Sequence, residues 1–243
     1  MSGASRDPII GVSVGEESKM LAGMDLTELG AAHSAHEDCA AGREMNRVIV
    51  GISGATGIIY GVRLLEELHA AGVETHLVIS RAGEMTRSYE TPFSARELRA
   101  KADVSYPIGD VGAAVASGSF RTRGMIIAPC SMRTLAEIAT GVTTTLLTRA
   151  ADVCLKERRR TVLLVRETPL TTVHLRNMLA ATEAGAIVFP PVPAFYDRPA
   201  TVDDIVNHTI GRVLDLFDLD SGLVHRWGEP TRNEPAHRNG KCV

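Results

Sequence analysis

The sequence predicts an α/β fold, doubly wound, with a mostly parallel sheet covered by helices on both faces. Three observations carry that reading. Short aliphatic runs alternate with amphipathic segments, the pattern of strand–helix–strand units. A glycine-rich turn, Gly51-Ile-Ser-Gly-Ala-Thr-Gly57, separates the first aliphatic run from the first helical segment. The core must be aliphatic: 44% of the 243 residues are hydrophobic, yet only five Phe, four Tyr and one Trp occur. At roughly 150 residues per domain, this length gives one large domain with appendages.

Residues 1–44 are rich in Gly, Ala, Ser and Glu and hold no apolar period for long. They read as an N-terminal extension, dispensable for folding, with a short helix around Asp25–Ala32 that Asp25 would cap. Met45 opens the main domain, residues 45–227. Strand-like runs follow at Val48–Ile52, Thr75–Ile79, Met125–Ala128, Thr161–Val165 and Ala186–Phe189. Between and after them lie helical segments at Ile58–Ala70, Ser131–Ala139, Thr143–Arg158, Thr172–Ala184 and Val202–Leu216. In the first helix Ile58, Val62, Leu65 and Leu68 form one stripe, while Arg63, Glu66 and Glu67 point elsewhere. Gly228–Val243 is polar and reads as a solvated tail. The sum is a single domain of Rossmann/flavodoxin-like type.

Composition excludes several function classes. Lys and Arg number 26 against 29 Asp and Glu, a formal charge of −3 with no long basic run, so no nucleic-acid partner is expected. No apolar run approaches the ~18 residues of a membrane span, and no basic stretch precedes an apolar one as in a secretory signal. The four cysteines, Cys39, Cys130, Cys154 and Cys242, show neither CxxC nor metal-ligand spacing. These features predict a cytoplasmic protein without a structural metal.

In parallel α/β sheets ligands bind outside the carboxyl ends of the strands. Here those ends carry the Gly51–Gly57 turn, Ser80-Arg81, Pro129-Cys-Ser-Met132, Arg166-Glu-Thr-Pro169 and Pro190-Pro-Val-Pro-Ala-Phe-Tyr196. The glycine turn before a helix suits a phosphate, although a tight strand–helix turn explains it equally well. A dinucleotide site would need an acid closing the second strand to grip the ribose. The chain has Ser80-Arg81 there, and no Tyr is followed by Lys four places on. A mononucleotide such as FMN fits better than NAD(P).

Arg149 and Lys156 stand two helical turns apart with Asp152 between them, either a site or a solvated salt ladder. Glu167, directly after a strand, is a proton-transfer group or the partner of Arg166. Cys130 reads as a small packing residue, and His174 as a surface or capping histidine.

Taken jointly and in order, several segments resemble the flavin prenyltransferases of the UbiX type over Met45–Trp227. They are Gly51–Gly57, Ala116-Ser-Gly-Ser119, Pro129–Met132, Arg149-Ala-Ala-Asp-Val153 with Leu155-Lys-Glu-Arg158, Arg166-Glu-Thr-Pro-Leu170 and Pro193-Ala-Phe-Tyr196. The resemblance implies transfer of a dimethylallyl group from dimethylallyl phosphate to N5 and C6 of reduced FMN, without a metal. The product, prenylated FMN, would serve UbiD-type decarboxylases. Carried over by position, FMN would contact Gly54, Ala55, Thr56, Ser80, Cys130, Ser131, Met132, Arg133 and Arg149. Tyr196 and Arg212 would hold the prenyl phosphate, and Glu90, Lys156 and Glu167 would surround the leaving phosphate and the proton transfers. A homo-oligomer, commonly a dodecamer, is implied as well.

Thr56 replaces the Ser frequent in the glycine turn but keeps its hydroxyl, and Val111 stands where some relatives have tryptophan. Two rival readings are a non-catalytic FMN-binding accessory subunit of a decarboxylase and a flavin-dependent cysteine decarboxylase. The second would carry a Pro-Ala-Ser-Ala-Asn-type turn and a Met-Asn segment, and neither occurs.

Overall fold

The computed structural model describes residues 46–224. The expected extension over 1–44, its short helix, and the tail from 228 lie outside the described residues. Six strands build one parallel sheet: β1 (Arg47–Ile52), β2 (Glu74–Ile79), β3 (Val104–Tyr106), β4 (Gly124–Cys130), β5 (Arg160–Val165) and β6 (Ile187–Val188). Their order is β3-β2-β1-β4-β5-β6, so the winding reverses between β1 and β4. That is the doubly wound order expected of this fold class.

Alternation along each strand feeds two cores. Val48, Val50 and Ile52 of β1, with Ile126 of β4 and Val162 and Leu164 of β5, face one side. There they meet α1 (Ile58–Ala70) and α7 (Val202–Asp215), which also pack on each other. Ile49, Met125, Ile127 and Leu163 face the other side, under α4 (Met132–Thr140), α5 (Leu146–Lys156) and α6 (Thr172–Glu183). Every residue of β4 is buried, as a central parallel strand requires. The stripe expected on α1 is buried: Ile58, Val62, Leu65 and Leu68 are all core residues.

Three elements were not evident in the sequence: α2 (Arg81–Glu90), α3 (Ala95–Arg99) and strand β3. Helix α2 buries only Gly83, so it has no apolar stripe to read. Ser80 starts it by accepting the Gly83 N–H at 2.9 Å, and a full capping box on Ser94 starts α3. Strand β3 is a half-buried Val-Ser-Tyr at the sheet edge, too short and polar to signal. The helix expected over Thr143–Arg158 is shorter, because Thr145 caps it and makes Leu146 its first residue.

A buried polar cluster joins β1, β2 and β3. His76, 3% exposed, lies between Tyr106 and Glu74, with its ring nitrogens 2.9 Å from the Tyr106 hydroxyl (Nδ1) and the Glu74 carboxylate (Nε2). The Phe120 ring meets it edge-on, and Arg47 pairs with Glu74 at 3.1 Å. Burial holds the imidazole below its ordinary pKa of 6.5, against the opposing pull of Glu74 and Asp103, while Arg47 adds to the lowering. The ring is therefore neutral, with Nε2–H donating to Glu74 and Nδ1 accepting from Tyr106.

Because the folded pKa lies below the unfolded one, the unfolded chain takes up a proton that the native ring refuses. Stability from this site is present above about pH 6.5 and declines as pH falls through the folded value. Wild-type protein should thus lose its advantage over His76→Gln as the pH is lowered from 8 to 5, read as converging urea midpoints. A gap that stays constant over that range contradicts a depressed histidine.

Candidate functional site

Strands β1 and β4 diverge at their carboxyl ends, and one serine ties them together there. Ser53 is fully buried; its hydroxyl donates to the Pro129 carbonyl at 3.0 Å and accepts the Ser131 N–H at 2.7 Å. Its own N–H also donates to Pro129, at 3.1 Å. Gly54 follows, and a Cβ there would stand 2.3 Å from the Ala82 Cβ, so only glycine lets α2 approach the turn this closely. The turn closes on Gly57, in the left-handed region at φ 101°, and α1 begins.

The far end of that turn is already satisfied. A Glu90 carboxylate oxygen accepts the N–H groups of Gly57 and Ile58 at 2.8 and 2.9 Å, which caps α1. An anion therefore has a better place at the near end of the turn. There a cavity of about 380 Å³, in the range of small-molecule sites, lies outside the ends of β1, β2 and β4. The amino termini of α2, α4 and α5 supply its wall through Ser80, Ser131 and Thr145, each the cap of its helix. Arg81 and Arg133 add two cations, and Ile108, Leu147 and Ala82 add apolar surface.

Three positive helix ends and two arginines suit a phosphate group, and the apolar wall suits a ring. Glu137 is the one acid among the described lining residues, and Arg133 at 2.9 Å and the Thr144 hydroxyl at 3.2 Å occupy it. No carboxylate closes β2, so the grip of a dinucleotide ribose is missing. These residues fit an FMN-sized flavin phosphate.

Of the residues expected at the flavin, Gly54, Ser80, Ser131 and Arg133 line this cavity. Ala55 is buried in the turn, Thr56 is exposed beside it, and Met132 opens α4 and packs on the core. Cys130 is wholly buried, and burial pushes its thiol up to about 12, so it is a packing residue rather than a nucleophile. Arg149 stands on α5, bonded to Asp152 at 2.7 Å. Lys156 ends the same helix in an ion pair with Glu157, about 10 Å along the axis from Arg149.

Glu167 is exposed after β5 and accepts the Thr168 N–H at 3.1 Å. Tyr196 reaches the buried His208 of α7, hydroxyl to Nε2 at 3.0 Å, and Arg212 follows one turn later, paired with Asp215 at 3.0 Å. None of these outer groups is among the described residues that line the cavity. His174 completes the capping box of α6 with Thr171, as its position suggested. Arg81, noted in the sequence at the end of β2, lines the cavity too, and so do Thr144, Thr145 and Thr148, which the sequence did not single out. A threonine run before a helix is a capping signal, and capping serines and threonines elsewhere frame this same cavity.

A family model described as Flavoprotein matches residues 38–214. A flavin prenyltransferase UbiX of Neisseria meningitidis serogroup B is 56% identical over 183 residues, 75% of this chain and 97% of that protein. A crystal structure of AnUbiX (PadA1) in complex with FMN and dimethylallyl pyrophosphate superposes with TM-score 0.75 at 51% identity. It covers 77% of this chain and 100% of that one. A dodecameric FMN-dependent Ubix-like decarboxylase from Escherichia coli O157:H7 gives TM-score 0.73 at 52% identity, over 75% and 100% of the two chains. With a flavin-sized cavity of positive helix ends and arginines at the switch point and such relatives across the whole folded domain, the chain belongs to the flavoprotein family and, within it, to the UbiX flavin prenyltransferases.

Proposed function

We propose that the protein joins the dimethylallyl group of dimethylallyl phosphate to N5 and C6 of reduced FMN, and that the flavin binds in the cavity between β1 and β4. The observation that carries this reading is the convergence of three helix amino termini, Arg81 and Arg133 on one flavin-sized cavity. Relatives at 56% identity are flavin prenyltransferases, which favours an enzyme over an accessory subunit or a cysteine decarboxylase.

Bound reduced FMN supplies the nucleophile, so the protein needs no covalent nucleophile, in keeping with the inert Cys130. The chain's own task is electrostatic. Breaking the allylic C–O bond leaves negative charge on phosphate, and Lys156 and Arg212 are the cations assigned to it. Tyr196, anchored through His208, would fix the phosphate beside Arg212. Glu167 would hold and return the proton, with its carboxylate free of any ion pair to Arg166 among the described residues.

In one chain these groups stand on separate elements and outside the cavity lining, and a second copy is a simple way to complete the site. Leu175 and Leu179 of α6 are 53% and 60% exposed, and Phe195 next to Tyr196 is 72% exposed. Apolar surface of that kind marks an interface between copies. We therefore include a homo-oligomer, of the dodecameric kind described for the Escherichia coli relative, in the proposal. Its product would pass to UbiD-type decarboxylases in the cytoplasm. Among the described residues no helix is long and apolar enough to cross a membrane.

Incubation with reduced FMN and dimethylallyl phosphate should yield a flavin heavier by one dimethylallyl unit, with a changed absorption spectrum. Recovery of unmodified FMN after many turnover times would overturn the reading. Glu167→Gln should bind FMN normally yet form product at least ~100-fold more slowly in a single turnover. Arg212→Ala should instead raise the concentration of dimethylallyl phosphate needed, by about 10-fold or more. If both variants melt earlier while turnover per folded molecule is unchanged, the two residues are structural.

A further inference from the structure

A second and larger cavity, of about 580 Å³, lies at the opposite end of the sheet, where the strands begin. Four arginines line it: Arg123 before β4, Arg158 and Arg159 after α5, and Arg160 at the start of β5. Asp218 is the one acid among the described lining residues, so the described lining carries a net charge of +3, with Glu157 close to Arg159 just outside it. Concentrating like charges in a concave surface costs energy unless an anion is at hand.

The arginines are also held in place. Arg159 donates to the carbonyls of Gly118 and Phe120, both at 2.6 Å. Arg123 donates to Asn46 and to the Phe217 carbonyl, both at 3.1 Å. Arg160 pairs with Asp218 at 3.3 Å and lies over the Phe217 ring. A guanidinium carries five N–H groups, so each of these keeps donors to spare. Arg158 donates its backbone N–H to the Leu155 carbonyl at 3.0 Å, its guanidinium makes no ion pair or hydrogen bond among the described residues, and its backbone sits in the left-handed region at φ 56°. Thr122, 6% exposed, lines the same cavity with a buried hydroxyl that has no well-formed hydrogen bond apart from a contact with the Cys154 thiol.

We propose that this cavity is a second anion site, separate from the flavin cavity, for a small molecule bearing a phosphate or diphosphate group. A carboxylate brings one negative charge, less than a lining of four guanidinium groups and one acid can take. A phosphate monoester brings about 1.5–2, and its oxygens accept the paired N–H groups of a guanidinium. Leu155 and Ile187 provide an apolar patch beside the arginines for the organic part of such a ligand. The site stands on its own residues and does not depend on the flavin reading.

The test uses inorganic pyrophosphate as the probe, titrated by calorimetry into the full chain saturated with FMN, at low salt. Wild-type protein should bind saturably. Arg158→Gly removes the cation while suiting the left-handed backbone, so it should fold as well and bind about 10-fold more weakly. Adding Arg160→Gln should weaken binding further. Arg212→Ala, which alters the proposed donor site, should leave it unchanged. The proposal fails if wild-type protein shows no saturable binding, if Arg158→Gly binds with wild-type affinity, or if binding is lost in Arg212→Ala.

Discussion

Everything at the ligand end of this sheet depends on how β1 and β4 are held where they part. In a doubly wound sheet the crossovers leave in opposite directions from this point, and nothing in the ladder itself keeps the two exits aligned. Ser53 does so with three short bonds, two to the Pro129 carbonyl and one from the Ser131 N–H. A buried donor or acceptor that lost its partner here would cost about 1–3 kcal/mol. Because Ser131 is also the cap of α4, the same contact aims a helix amino terminus at the crevice. Gly54 lets α2 in beside it, and Thr145 brings α5 from the third side.

The sequence made the frame legible because the frame is aliphatic and periodic. Val48–Ile52, Thr161–Val165 and the α1 stripe are long enough, and one-sided or doubly buried enough, to announce themselves. Helix α2 and strand β3 were silent for the opposite reason: their stability comes from caps, edge pairing and the His76–Tyr106 bond, none of which leaves an apolar period. At the site, the glycine turn pointed to the crevice where β1 and β4 part, with its backbone N–H groups as candidate donors. Only the fold reveals that Glu90, remote in sequence, accepts the Gly57 and Ile58 N–H groups, and that the amino termini of α2, α4 and α5 wall the cavity. Resemblance supplied residue names that spacing could not, because Lys156, Glu167 and Arg212 stand on separate elements.

Charge is distributed at both ends of the molecule, with a different logic at each. At the carboxyl ends of the strands, cations share a cavity with helix termini and with an acid already engaged by Arg133. At the amino ends, guanidinium groups supply the positive charge, two of them fixed by backbone carbonyls of Gly118, Phe120 and Phe217. Helix α5 runs between the two, from Thr145 and Thr148 at the flavin cavity to Leu155 at the arginine cavity. Lys156 stands at its far end, paired with Glu157.

The central claim is that the crevice tied by Ser53 is the flavin site, and a crystal structure of the full chain with FMN tests it most directly. Density for the flavin should lie between Gly54, Ser80, Ser131 and Arg133, with its phosphate at the amino termini of α2, α4 and α5. Flavin density in the arginine-lined cavity beside Phe217 would contradict the account, as would a crevice that stays empty at saturating FMN.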